Sequence, residues 1–357
     1  MPRDPAVSSP YVAALEAQRA ELVAALEPHV DAELITRMQR RSARWSVRLD
    51  ASPLQDATAD AVDDGALPPT PAVVSDTNGA GWAQVLKLEG MPTQDIAAVE
   101  YQGVRAAQLN EARLAREFFT APVATIAQLQ QHIAAGLVAP DRLGALRVTS
   151  RALHDGAQGM VIFHAPDPQR LPALLDELDD WVRRARHRYP ALIVAGVVHL
   201  RILQWCPFEA GNGRVARAAS RVALRATSGD PWGVAVPEQE YARDPKRYVA
   251  EVAATNRRRS DLRPWIERTA EAVVASLETI ARDLGAGPDA VPAHGVRECQ
   301  RLRPGETITV PEYAALVRSN QQSAIVQLNR LCWAGLLERD VGTHGLQYVR
   351  LQGHGVR

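Results

Sequence analysis

The stretch "WCPFEAGNGRVAR", Trp205 to Arg217, decides how this chain is read. Gly211, Asn212 and Gly213 stand immediately before a run with helical spacing. Glycines let successive backbone N–H groups turn toward one point, a nest for an anion. A helix N-terminus adds the positive end of its dipole. Arg214 and Arg217 are three apart, so they share a helix face near that end. Two guanidinium forks above a nest suit a di- or triphosphate. Pro207 stiffens the entry, and Phe208 is an apolar anchor. The bland alternative is an ordinary glycine turn with solvated arginines. A P-loop is excluded, because no Gly-Lys-[Ser/Thr] follows.

The 357 residues predict two or three domains. Lys+Arg and Asp+Glu balance at 41 each, so no global field points to nucleic acid. Lys87 and Lys246 are the only lysines, and the arginine bias runs through the whole chain. Cys206, Cys299 and Cys332 are far apart and form no CxxC pair, which argues against a zinc site or a disulfide framework. No leader-like or membrane-spanning window is present, so a cytoplasmic protein without membrane contact is expected.

Residues 1–55 read as an N-terminal helical region. Residues 56–91, rich in Asp, Pro, Thr and Gly, read as a linker. Helical patterning resumes over 92–284. Inside it, "GMVIFHAPDP" (Gly159–Pro168) is a short β-prone run closed by prolines. "ALIVAGVVHLRILQW" is apolar nearly all round and should be the buried central helix. Residues 285–304 read as a second linker. Residues 305–357 give helix, turn, helix and two short strands, the order of a winged helix-turn-helix.

"CPFEAGNGRVAR" resembles the Fic motif, HPFx[D/E]GNGRxxR. "GALR" (Gly144–Arg147) is similar to a family segment upstream, as is "VIFHAPDPQRLPALLDELDDW" to the flap and its following helix. "KRYVAEVAA" and "DLRPWIERTAEAV" resemble segments downstream. The resemblance covers about 92–284. It implies a mainly α fold: a Fic-type helical core with a short β-hairpin flap, followed here by the winged helix.

Fic proteins generally transfer AMP from ATP to a hydroxyl of a target protein. By resemblance, Gly211, Asn212, Gly213, Arg214 and Arg217 bind the nucleotide, and Met160, Val161, Ile162 and Phe163 form the flap. Cys206 stands where the motif histidine acts as base, and Ala210 stands where an acidic residue holds Mg²⁺. ATP is then substrate or ligand, with the usual magnesium ligand missing. Three substitutes are conceivable. Arginines and a helix end would make Cys206 a thiolate. Glu209 would supply a carboxylate from one position off. His199 would act as base from two turns away. Against these, Cys206 is a small thiol filling a histidine's space, and His199 is a core residue with a satisfied hydrogen bond.

Many Fic proteins are self-inhibited by "[S/T]-x-x-x-E-[G/N]". "SVRLDAS" places Ser46 and Asp50 at that spacing, with Ala51 where Gly or Asn is expected. Two functions follow: an adenylyltransferase of weak or altered chemistry, or an inactive nucleotide- or DNA-binding regulator. In the C-terminal module, Gln321, Gln322, Ser323 and Gln327 suit base contacts. Its arginines (Arg318, Arg330, Arg339, Arg350, Arg357) barely outweigh Glu306, Glu312, Glu338 and Asp340, so protein contact or homodimerisation suits it as well as DNA.

Overall fold

A computed structural model describes residues 7–67, 92–154, 161–258, 261–342 and 345–352. It is mainly α-helical, with fourteen α-helices among the described residues. The chain divides into two units. One comprises Met1–Val7 with Val30–Ser276, the other Ser8–His29 with Leu277–Arg357.

The larger unit is built on helices whose ends are dictated locally. Helix α2 (Ala32–Leu49) starts at Asp31, whose side chain accepts from Leu34 N at 2.7 Å. This is an N-cap bond that satisfies an otherwise orphaned amide. Helix α3 (Asp56–Asp63) follows, inside the stretch expected to be a linker. Its Ala59 packs with Ala43 and Val47 of α2 and with Ala97, Tyr101 and Val104 of α4 (Thr93–Glu117). Its short apolar face, Ala59 with half-buried Val62, was hidden there by the surrounding Asp and Thr.

Helix α5 (Pro122–Ile133) lies against α4. A short hairpin, β1 (Ala152–His154) with β2 (Val161–His164), pairs antiparallel. Helix α6 (Leu171–Ala185) leads to α7 (Ala191–Trp205), which is buried along almost its whole length, as its all-round apolar sequence requires. Helix α8 (Asn212–Ala226) returns against α7. Helices α9 (Pro237–Arg243), α10 (Pro245–Arg257) and, up to Ser276, α11 (Arg263–Asp283) complete the core. Trp265 of α11, fully buried, donates its indole N–H to Gly196 O in the middle of α7.

The smaller unit corrects the expected boundaries. Helix α1 (Pro10–Leu26) belongs with the C-terminal residues and not with α2. Ala14 joins a core of Tyr313, Leu328, Leu331 and Tyr348, and Asn329 donates to Ala14 O at 2.8 Å. Part of the second expected linker is helix α12 (Ala293–Arg301). Beyond it come β3 (Thr307–Ile308), α13 (Val310–Val317), α14 (Gln321–Trp333), β4 (Leu337–Gly342) and β5 (Gly345–Arg350). The three strands form an antiparallel sheet in the order β3-β5-β4. Thr309 and Glu312 close a reciprocal capping box at the start of α13. Among the described residues, no helix is long and apolar enough to cross a membrane.

Gly103 shows how tightly α4 and α5 meet. A Cβ added there would lie 2.6 Å from Ile133 O and 3.0 Å from His132 O, both backbone atoms. Gly103→Ala is therefore expected to cost about 1–3 kcal/mol in denaturant unfolding, outweighing alanine's better helix propensity.

Candidate functional site

The loop from Cys206 to Gly211 joins α7 to α8. Cys206 ends α7 in the left-handed conformation (φ 42°), with its N–H donating to Ile202 O at 2.9 Å. Pro207 disfavours right-handed helix in the residue before it, so α7 stops here. Asn212 braces the loop from below. Its side chain accepts from Phe208 N at 2.9 Å and donates to Phe208 O at 2.8 Å. Gly211 (φ 76°) then turns the chain into α8.

A buried guanidinium fixes the other side. Arg147 Nε donates to Cys206 O at 2.6 Å, and its terminal nitrogens donate to Thr149 O, Pro166 O and Trp205 O at 2.6–3.1 Å. Its own N–H donates to Pro207 O at 2.9 Å. One side chain thereby ties the helix end, the loop and the segment after β2 together. Phe208, buried, bridges Leu146 beside it.

Above the start of α8 sits the carboxylate of Asp50, the residue that ends α2. Oδ1 accepts from Arg217 at 2.7 Å, and Oδ2 lies 3.3 Å from Arg214 Nε. Ser46, one turn earlier, accepts from Arg217 through its hydroxyl at 2.9 Å and its carbonyl at 2.6 Å. Asp50 presses so closely on the loop that a Cβ at Gly213 would come within 2.5 Å of Oδ1. Arg214 meets a second carboxylate, Glu100 of α4, at 3.2 Å. Both arginine side chains are nearly inaccessible to solvent. Burial opposes the charge of Arg217, but Asp50 and Tyr248 outweigh it and hold the guanidinium above its ordinary range. The arrangement can hold an anion, and the chain's own carboxylate stands over it.

Residues 120–224 match the model of the Fic/DOC family. The chain carries a Fic/DOC domain. A Fic family protein from Desulfovibrio desulfuricans is similar in structure, with a TM-score of 0.62 at 18% identity, covering 99% of this chain and 100% of that one. Fic-1 from C. elegans aligns with a TM-score of 0.55 at 18% identity, over 77% of this chain and 72% of that one. A Fic domain containing signaling protein from Bacteroides thetaiotaomicron gives 0.52 at 16% identity, over 77% and 100%. At these identities the likeness is one of fold. No curated protein matches the sequence significantly.

Within residues 120–224 the two positions that depart from the motif are held in desolvated or apolar surroundings. Burial pushes the Cys206 thiol up to about 11, although Arg147 and Arg151 pull the other way, and its S–H donates to Leu203 O at 3.2 Å. The thiolate expected from neighbouring arginines is thus overruled by desolvation. Ala210 packs with Ala134, Val138 and Leu143 in an apolar cluster. Glu209 turns away to pair with Arg142 at 2.9 Å, while its carbonyl accepts from Arg151. His199 is fully buried, and its Nε2 is hydrogen-bonded to Tyr248 OH at 2.7 Å. Burial, then Arg217, hold His199 well below its ordinary range, so it is a neutral core residue.

Val161, Ile162 and Phe163 fall in β2, and Met160 lies outside the described residues. Glu100 and Tyr248 escaped sequence reading. An isolated Glu on an amphipathic helix and a Tyr in another carry no spacing that points to Arg214 or Arg217. In the smaller unit, Gln327 accepts from Tyr313 OH at 3.2 Å, and Arg330 pairs with Glu21 of α1. Gln321, Gln322 and Ser323 remain exposed at the start of α14.

Arg147→Met would orphan several buried carbonyls at once. A loss of at least about 3 kcal/mol is expected in chemical denaturation. Alkylation of Cys206 by iodoacetamide, followed by peptide mass mapping near pH 8, should be slower than for an unfolded cysteine peptide. It should accelerate as pH rises toward about 11, because a raised pKa leaves little thiolate at neutral pH.

Proposed function

We propose that this protein binds ATP or a related nucleotide at the Gly211–Arg217 loop, that Asp50 holds the site closed, and that it is a regulator rather than an active adenylyltransferase. The observation that carries the reading is the Asp50 carboxylate lying between Arg214 and Arg217 over Gly213. A carboxylate in that position mimics the phosphate oxygens that the nest and the two forks suit. Ala51 follows in the left-handed conformation at φ 60°, which is why Gly or Asn is favoured after such an acid. Aspartate is one methylene shorter than glutamate, yet it reaches Arg217 because α2 ends directly above α8.

The resemblance to enzymes that move AMP onto protein hydroxyls applies to binding and stops short of transfer. A protonated Cys206 takes no proton from a target hydroxyl. Magnesium does not fit at Ala210, which offers a methyl group inside an apolar cluster. A general base alone contributes about 10²–10⁴-fold. The C-terminal module, as a winged helix, suits protein contact better than DNA. Gln327 is already engaged, and Asn329 and Arg330 of α14 face α1.

Titration calorimetry with ATP tests the reading. Asp50→Ala should bind at least about tenfold tighter than the parent, since the parent must first break two charge-assisted contacts. Adding Arg217→Ala should abolish the gain. Absence of ATP binding by Asp50→Ala would defeat the proposal. In intact-mass measurements with ATP and Mg²⁺, only Asp50→Ala/Cys206→His/Ala210→Asp should acquire a nucleotidyl mass. The same mass on Asp50→Ala alone would show that the natural site is catalytic.

A further inference from the structure

The outward side of α2 carries a second, unassigned feature. Arg37, Arg40, Arg41, Arg44 and Arg48 recur at spacings of three and four, so they share one helix face. With Trp45 they line an open groove of about 640 Å³ in the larger unit. Ser42, Ser46 and Val47, on the other side of the same helix, are buried. The row from Arg37 to Arg48 is about 16 Å long.

Its charges are only partly balanced. Arg44 pairs with Asp60 at 2.6 Å and lies 3.4 Å from Asp63, Arg48 pairs with Asp56 at 2.6 Å, and Arg40 lies 3.5 Å from Asp63. All three acids come from α3. Glu33 and Asp56 also line the groove. Among the described residues, Arg37 and Arg41 have no acidic partner within 4.0 Å. Five arginines against Glu33, Asp56, Asp60 and Asp63 leave the groove a small net positive charge, and it is centred on Arg37 and Arg41.

We infer that this groove binds a single-stranded nucleic acid. Arginine forks on successive turns match a line of phosphates rather than one phosphate. Trp45, half-buried among them, presents a ring for a base to stack on. Arg48 already lies 5.8 Å from that ring, in a cation–π contact. A basic groove with an aromatic platform is the usual physical solution for single strands without sequence preference. An acidic peptide would use the arginines and leave the ring idle. The groove shares α2 with Ser46 and Asp50 but uses no residue of the nucleotide loop, so the inference stands whether or not ATP binds there.

Fluorescence anisotropy of a labelled oligothymidylate, titrated with the full chain, tests this. Affinity should fall with salt, with a log–log slope of about −1.5 to −3, as two to four phosphate contacts require. Arg37→Glu/Arg41→Glu alters exposed and half-buried positions and should weaken binding at least about tenfold with an unchanged melting temperature. Trp45→Ala should weaken it several-fold, by removing a stacked base. Three results would overturn the inference. One is no binding at low salt. The second is binding that the double arginine variant leaves untouched, which would move the contact elsewhere. The third is equal affinity for polyglutamate with no effect of Trp45→Ala, which would make the groove an acidic-peptide site.

Discussion

Helix α8 buries three guanidinium groups, those of Arg214, Arg217 and Arg221, on one side. A buried charge left unpaired costs several kcal/mol, so each must find acceptors. Arg214 takes Glu100 and Asp50. Arg217 takes Asp50, Ser46 and Tyr248. Arg221 takes Glu111 at 3.2 Å together with the carbonyls of Gly233 and Ala235. Those acceptors come from α2, from α4, from the segment before α9 and from α10. The packing of the larger unit around α8 is therefore also its electrostatic solution. Asp230 extends it by accepting the N–H groups of Gly233, Val234 and Ala235, which holds that segment where Arg221 can reach its carbonyls.

The same balance of burial against charge governs the loop. The turn is firmly held: Asn212 braces it from within, and Arg147 fixes its outer wall. The positions of the motif's histidine and acid hold a desolvated thiol and a methyl group. Desolvation decides the state of Cys206: Arg147 and Arg151 favour the thiolate, but burial outweighs them. A positive surrounding does not create a thiolate when the cost of desolvating the charge is larger.

Much of the fold was legible. The all-round apolar run of α7, the Gly-Asn-Gly turn and the mainly helical core could be read because each leaves a local pattern. The hairpin over Val161–Phe163 could be read from β-prone residues closed by prolines. Helix α3 was missed because its one buried alanine, Ala59, sits among Asp and Thr residues that resemble a loop. The assignment of α1 to the C-terminal unit was missed for another reason. Its apolar stripe says that one face is buried, not against what.

The sequence by itself determined the loop's backbone, the absence of a histidine and an acid from their positions, and the spacing of Ser46 and Asp50. These follow from residue types and short separations. Only the tertiary structure decided that Asp50 reaches both arginines, that Glu100 and Tyr248 complete their shells, that Glu209 faces Arg142, and that Arg147 spends its donors on carbonyls. Those contacts join residues scores of positions apart. Charge pairing in a buried core depends on which helices meet, and no periodicity along the chain records that.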